Sequence, residues 1–281
     1  MNNVAAIVVT YNRLELLMRC IKSLRNQTYS GFDIVVVNNG STDGTKEWLD
    51  SLCDVYVINQ DNCGGAGGFF AGQKYAYDKG YEWVWMMDDD GLADKDELKE
   101  LMLACHNNNF WYANATVVNV SEPKHLAFAP TVETNSLKGE YINDYFSPYN
   151  GTIIKRDLIK EIGFIKKEMF IWGDEIEYSL RASRFGYKGV TVVKAIHFHP
   201  QNKGIIEKVL PFFNYSIVRK PKHLSKYYFL NRGYIEKNYA DRKTLMMSYI
   251  FYSLFYLRKM EFGELFKFWK YYTRGIHNEY L

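Results

Sequence analysis

The chain is short of several features that would assign it to particular protein classes. It has four cysteines in 281 residues, Cys20, Cys53, Cys63 and Cys105, and no CxxC pair among them. That argues against a disulfide framework or a cysteine-held zinc site, and leaves buried free thiols as the expectation. No long apolar run is present. The longest, Leu245 to Leu257, is too short to span a bilayer. The opening MNNVAAIVVTYNRLE lacks a basic segment followed by a long apolar one, and Ile7 to Thr10 reads as a buried strand. The expectation is therefore no export and a cytoplasmic location. Asn-x-Ser/Thr triplets such as Asn26-Gln27-Thr28 and Asn150-Gly151-Thr152 then read as chance. There is no internal repeat and no low-complexity segment. Apolar residues make up 47% of the chain, enough for a sizeable core and against disorder.

Charge is near balance overall but unevenly placed. Residues 203–281 carry 15 Lys+Arg against 6 Asp+Glu, while the whole chain is only +3. An acidic front part and a basic rear part suggest two jobs.

The first half alternates strands and helices. Strands are expected at Ala5–Thr10, Phe32–Val37, Val55–Ile58 and Glu82–Met87. Helices are expected at Leu14–Asn26, from Ser41-Thr42-Asp43 onward, and at about Gly67–Lys79 after a glycine-rich loop. This order argues for an α/β fold, a mostly parallel sheet with helices on both faces. In such sheets ligands bind beyond the carboxyl ends of the strands. Thr10, Asn38/Asn39, Asn62 and Asp88–Asp90 all follow predicted strands and should face one crevice. The stretch Trp111–Tyr149, with Pro123, Pro130 and Pro148, looks less regular. Further on, Asn150-Gly151 reads as a turn into a strand, Asp157–Ile162 and Asp174–Phe185 as helices, and Thr191–Val193 with Ala195–His199 as strand. From about Ile205 the chain becomes basic and aromatic, as in FKFWKYY, with helical spacing. We therefore expect two domains, 1–204 and 205–281, the second a C-terminal extension of two or three helices.

Several motifs carry chemistry. In WVWMMDDDG, three carboxylates directly follow an apolar strand. Asp88 and Asp90, two residues apart, can grip one hard divalent cation, with Asp89 facing elsewhere. An isolated DDD is more often a solvated turn; the position at a strand end favours the cation. The glycines of GGAGG begin a GxGxxG pattern, but Phe70 stands where the last glycine belongs, which argues against a dinucleotide fold. A plain tight turn is the alternative to a phosphate-approaching loop. In FIWGDEIEY, Asp174 and Glu177 share a helix face and Glu175 is turned about 100° from Asp174. These acids suit a helix N-terminus, and equally a general base beside the aromatic Trp172. His197 and His199 alternate in a strand, and one of them could be the nitrogen ligand of a Mn²⁺-type site.

Together these motifs resemble the family 2 glycosyltransferases, with the GT-A fold, over about Val4 to Pro200. IVVTYNR, VVVNNGSTDGT, NCGGAGGF, MMDDDG, NGT and WGDEIEY…HFH occur in the family's order. The glycine segment, triple Asp and Trp–acidic cluster look most like the bacterial galactofuranosyltransferase branch, with rhamnosyltransferases as near relatives. The resemblance implies that Thr10, Tyr11, Arg13, Asn39 and Asp43 line the nucleotide pocket, with Asn62, Gly67, Gly68 and Asp89 beside the donor. Asn38 stands where many relatives have Asp. Asp88 and Asp90 would hold Mn²⁺ or Mg²⁺, with His199 as third ligand and His197 as second choice. Glu175 would be the catalytic base and Asp174 its alternative. Trp172, Asn150 and Gly151 would shape the acceptor site.

The implied reaction is inverting, metal-dependent transfer of a sugar by single displacement. UDP-galactofuranose is the favoured donor, and a rhamnosyl or other hexosyl donor on UDP or dTDP the alternative. The acceptor would be a glycan or lipid-linked glycan of a bacterial surface polysaccharide. The basic, aromatic region 205–281 would then lie on the inner membrane face; a helical dimer interface or a cover for the core is the alternative. A nucleotidyltransferase or a non-catalytic sugar-nucleotide-binding module are more distant readings. Nothing resembles a nucleic-acid-binding module, so no nucleic-acid partner is expected.

Overall fold

A computed structural model describes residues 3–143, 149–201, 204–211 and 215–280. Pro148 of the irregular middle therefore lies outside the described residues, as do both residues flanking the 202/203 junction. The chain divides into two compact units, Met1–Lys167 with Tyr178–Asn202, and Glu168–Glu177 with Lys203–Leu281. The second unit takes in ten residues from the middle of the chain, WGDE among them.

The first unit opens with β1 (Val4–Thr10), α1 (Leu14–Arg25), β2 (Phe32–Asn38), α2 (Thr45–Asp50), β3 (Val55–Asn59), α3 (Gly64–Lys79) and β4 (Trp83–Asp88). It continues with β5 (Leu92–Ala93), α4 (Glu97–Asn108), β6 (Tyr112–Asn119), β7 (Tyr141–Asn143), β8 (Thr152–Lys155), α5 (Arg156–Ile162), α6 (Asp174–Arg184) and β9 (Val190–His199). Helix α6 starts in the second unit's segment and ends in the first. The strands form one sheet in the order β3-β2-β1-β4-β8-β6-β9-β5, with β7 also on β9. The β3-β2-β1-β4 half is parallel, as the strand–helix alternation demands, and β8 enters antiparallel between β4 and β6.

Strand β1, VAAIVVT, is buried at every residue because both faces are covered. Val4, Ala6 and Val8 belong to one core cluster with Leu17, Ile21 and Leu24 of α1 and Leu98 and Leu101 of α4. Ala5, Ile7 and Val9 belong to the other, with Phe69 of α3, Leu158 and Ile159 of α5, and Tyr178 of α6. The period-2 alternation of the strand therefore feeds two cores. Register places Thr10 beside Asn38, Asn38 beside Asn59, and Val9 beside Asp88, so the polar strand ends do converge on one sheet edge.

Some local expectations change. The glycine-rich stretch is not a loop: Gly64–Gly68 form the first turns of α3. Helix α2 starts at Thr45 after Gly44, because Asp43 spends its carboxylate on the N–H groups of Leu14 and Thr45 instead of opening the helix at Ser41. The middle is more regular than its prolines suggest, since β6 is an eight-residue buried strand. Only Cys20 and Cys105 are buried thiols; Cys53 and Cys63 are exposed.

The second unit contains β10 (Ile205–Lys208) and β11 (Ser216–Arg219), an antiparallel pair, then α7 (Ser225–Tyr239), α8 (Arg242–Arg258) and α9 (Phe262–Ile276). Its core is aromatic: Phe229, Tyr252, Phe255, Tyr256, Phe268 and Tyr272. Helices α7 and α9 approach backbone to backbone. A Cβ on Gly233 would overlap the carbonyl of Tyr272, and one on Gly275 the carbonyl of Leu230. No helix among the described residues is long and apolar enough to cross a membrane.

Candidate active site

The three adjacent aspartates at the end of β4 have three different environments. Asp89 is buried and accepts a hydrogen bond from Thr10 Oγ1 at 2.7 Å and from Arg13 at 3.2 Å. Asp90 pairs with the same Arg13 guanidinium at 2.9 Å and lies 3.0 Å from His199 Nε2. Asp88 is met by Asn150, whose amide donates to its carboxylate and accepts its backbone N–H, both at 3.3 Å. Burial pushes the Asp88 carboxyl up to about 7, and repulsion from Asp90 and Asp89 adds to it. Burial also raises Asp89, against the pull of Thr10 and Arg13. Asp90 goes the other way: burial opposes its charge, but His199 and Arg13 outweigh it and hold the carboxyl low. Burial works against the charged form of the His199 imidazole too, and Asp90 overrides it, so the ring's pKa is raised.

Asp88, Asp90 and His199 offer ligand atoms that all lie within 4.8 Å of one another. The donor set fits a divalent cation on two further observations. His199 Nδ1 lies 2.6 Å from the carbonyl of Pro200, which can only accept; Nδ1 therefore carries a proton, and Nε2 is the ring atom that binds a metal once its own proton is displaced. Asp90 Oδ1 is buried and close to that Nε2, yet makes no aligned hydrogen bond. Two such atoms 3.0 Å apart have the spacing of adjacent ligands on one ion with bonds of about 2.1–2.2 Å. Two carboxylates and one imidazole are a donor set for a divalent cation.

His197 is not part of this cluster. It is fully buried, and its Nδ1 lies 3.0 Å from Glu97 Oε2, while Trp85 Nε1 donates to Glu97 Oε1 at 3.2 Å. Burial raises the Glu97 carboxyl, against the opposing effect of His197. The ring lies directly under the turn: a Cβ on Gly91 would overlap His197 Nε2, and one on Gly151 would crowd Glu97 and Ala115. Trp85, Glu97 and His197 thus form a buried polar support for the aspartate turn. Glu97 went unnoticed in sequence because it opens an otherwise ordinary amphipathic helix.

Residues read as nucleotide-facing divide into two groups. Tyr11, Arg13, Asp43 and Asn62 are exposed at the crevice edge. Asp43 binds the N–H groups of Leu14 and Thr45, tying the loop after β1 to the loop after β2. Burial would raise its carboxyl, but these hydrogen bonds outweigh that and lower it. Asn62 caps Gly64 N–H at 2.9 Å. The others are committed to the protein itself. Buried Asn39 bonds the carbonyl of Gly64, the amide of Gln60 and the N–H of Cys63. Asp89 and Thr10 are bonded to each other. Gly68 is small because a Cβ there would overlap Val9 of β1, and Gly67 because it would overlap Cys63. Gly68 thus sets the packing of α3 on β1, and Gly67 the close turn at the start of α3. Asn150 is likewise fully buried on Asp88, which makes it a support for that aspartate and not an acceptor-facing group.

The acidic cluster lies in the second unit's segment. Asp174 and Glu177 are buried, whereas Glu175 is half-buried with Oε2 accepting Gly173 N–H at 2.9 Å. Tyr239 of α7 donates to Glu177 at 2.8 Å. The turn before the helix is left-handed at Phe170 (φ 60°), Trp172 (φ 62°) and Gly173 (φ 111°). Asn231 of α7 holds it: the buried amide Nδ2 contacts the carbonyls of Met169, Ile171 and Trp172 at 2.7, 3.1 and 2.9 Å. Lys220 lies over the Trp172 ring, 4.4 Å from its centroid. Burial lowers its pKa, opposed by the charge of Glu175. Asn231 and Lys220 were not singled out in sequence; the only hint was a lone Asn within the apolar run YYFLNRGY.

This fold and site are those of a glycosyltransferase. The chain belongs to glycosyl transferase family 2: the family model of that description matches residues 5–163. Galactofuranosyltransferase GlfT1 of Mycolicibacterium smegmatis is 27% identical over 272 residues, 90% of this chain and 89% of the relative. The protein of that name in Mycobacterium tuberculosis is 29% identical over 273 residues, 91% of this chain and 89% of its own length. Among solved structures, a mannosyltransferase from Pyrobaculum calidifontis, in complex with GDP-Man and Mn²⁺, superposes with a TM-score of 0.56 at 18% identity. That match spans 84% of this chain and 62% of the other, and supports the fold.

Proposed function

We propose that this chain transfers galactofuranose from UDP-galactofuranose to a glycan or lipid-linked glycan acceptor in bacterial surface polysaccharide synthesis, with inversion. The observation that carries it is the Asp88–Asp90–His199 cluster at the sheet edge, in a chain whose relatives along nine-tenths of its length are named galactofuranosyltransferases. A bound Mn²⁺ or Mg²⁺ would neutralise the charge that builds on the departing nucleoside diphosphate. Asp88 and Asp90 would hold it and His199 would supply the nitrogen ligand, while Asn150 fixes the Asp88 carboxylate. Arg13 offsets the repulsion between Asp89 and Asp90 by pairing with both. Tyr11, Asp43 and Asn62 border the nucleotide.

Glu175 is the base that takes the proton from the acceptor hydroxyl. Its partial exposure favours it over buried Asp174. Trp172 offers a ring to the acceptor sugar, on the face that Lys220 does not cover. A panel of UDP- and dTDP-sugars, read by released nucleotide, tests the donor; release from dTDP-rhamnose but not from UDP-galactofuranose would overturn that choice. Glu175→Gln should abolish transfer and leave UDP–Mn²⁺ binding intact. Transfer that survives there and disappears in Asp174→Asn would move the base to Asp174.

A further inference from the structure

Helix α8 is apolar on two sides. Its inner side, Ser248, Tyr252, Phe255 and Tyr256, is buried in the second unit's core. Its outer side carries Met246, Ile250, Leu254 and Leu257, at helical spacing and 41–58% exposed. The patch continues onto α9. Tyr249 stacks on Trp269, whose Nε1 donates to Ser253, and Trp269 meets exposed Phe266 edge-on at 5.6 Å. A helix that is apolar all round is normally enclosed, and an exposed apolar face of this extent marks an interaction surface.

The charge around the patch identifies the occupant. The helix RKTLMMSYIFYSLFYLR has no acidic residue. Arg242 and Lys243 stand exposed at one end and Arg258 at the other, with Lys270 exposed on α9. Asp241, just outside, is engaged in capping Thr244 N–H at 2.8 Å. A second copy packed on this face, parallel or antiparallel, would set basic end against basic end. An anionic lipid surface satisfies both features: headgroups meet the cations at the ends, and the apolar stripe enters the acyl boundary between them. We propose that the outer face of α8 docks the protein on an anionic lipid surface. The proposal is independent of the donor sugar and of the base.

Flotation of the full chain tests it, with vesicles of phosphatidylcholine alone or mixed equally with phosphatidylglycerol. The wild type should float with the mixed vesicles and about tenfold less with phosphatidylcholine alone or in high salt. Ile250→Glu with Leu254→Glu should lower the partition about a hundredfold. Arg242→Glu with Lys243→Glu should lower it about tenfold and erase the lipid preference. Thermal melts and released-nucleotide rates matching wild type would show that these variants fold. If they melt early, Met246→Cys carrying an environment-sensitive dye replaces them; a blue shift with the mixed vesicles supports docking and no shift overturns it. The proposal also fails if folded Ile250→Glu/Leu254→Glu floats like wild type, or if wild type is a dimer in sedimentation that this variant splits, which would give the face to a second copy. A failure here with intact nucleotide release leaves the sugar-transfer reading standing.

Discussion

Replacing Asn231 by alanine should release the turn that presents Glu175. Two amide hydrogens of Asn231 are shared by three carbonyls of that turn, at 2.7–3.1 Å. The residue is kept for those donors, since its Oδ1 is buried without a partner. Removing them leaves at least two carbonyls unpaired, at about 1–3 kcal/mol each when buried. The same turn holds Phe170 and Trp172 at positive φ, a strain of about 1–3 kcal/mol per residue that would no longer be opposed. The native turn should therefore lose about 2–4 kcal/mol relative to relaxed conformations, a factor of roughly 30 to 1000 in the equilibrium constant between them. The Gly173 amide, which donates to Glu175, should exchange with deuterium faster by a comparable factor. Transfer turnover should fall as the relaxed conformations become populated, because Glu175 acts only from the native turn. Affinity for UDP–Mn²⁺ should change less than about twofold, because every proposed metal ligand is in the other unit. Exchange at residues 169–175 and turnover both within twofold of wild type would refute the reasoning.

Metal affinity should depend on pH. The raised Asp88 and His199 pKa values mean that a metal must displace protons, so Mn²⁺ affinity should rise as pH climbs through about 7 and flatten once both groups have lost their protons, with proton release visible by calorimetry in buffers of different ionisation enthalpy. Stability of the metal-free protein should run the opposite way for Asp88. Its folded pKa lies above the unfolded value, so the folded state holds the extra proton between about 4 and 7 and loses up to about 1.4 kcal/mol per pH unit as pH rises through that window. Urea melts at stepped pH, with and without Mn²⁺, check the sign. Asn150→Ala should weaken Mn²⁺ binding about 10- to 100-fold by freeing Asp88, while UDP binding without metal stays unchanged. Gly275→Ala should cost about 1–3 kcal/mol by forcing α9 off the α7 backbone, measured as a lowered melting temperature.

Much of the fold and part of the site can be read from the chain itself, for reasons that are local. Strand–helix alternation determines a parallel sheet, and a parallel sheet sends Thr10, Asn38 and Asp88 to one edge whatever the details. Asp88 and Asp90 stand out by their two-residue spacing at a strand end, whereas the residues alone left His197 and His199 equal and only the family resemblance preferred His199. Their partners are invisible at that level. Glu97 and His197 are 100 residues apart, and only the sheet brings helix α4 and strand β9 together beneath Gly91. GGAGG looks like a ligand loop because glycine allows both close ligand approach and close helix packing; only the fold shows Val9 of β1 seated against Gly68. WGDEIEY was legible as an acidic cluster, but not as a segment clamped by Asn231, because a carbonyl's partner cannot be inferred when it lies about sixty residues away. Periodicity and turn chemistry act within a few residues, so the chain alone placed the alternating strands and helices of the first half and the acids at their ends, but not β6 or the β10–β11 pair. Which of those acids have partners, which glycines are spacers, and which side of α8 is left uncovered were settled by the fold, since each depends on contacts between residues distant in the chain.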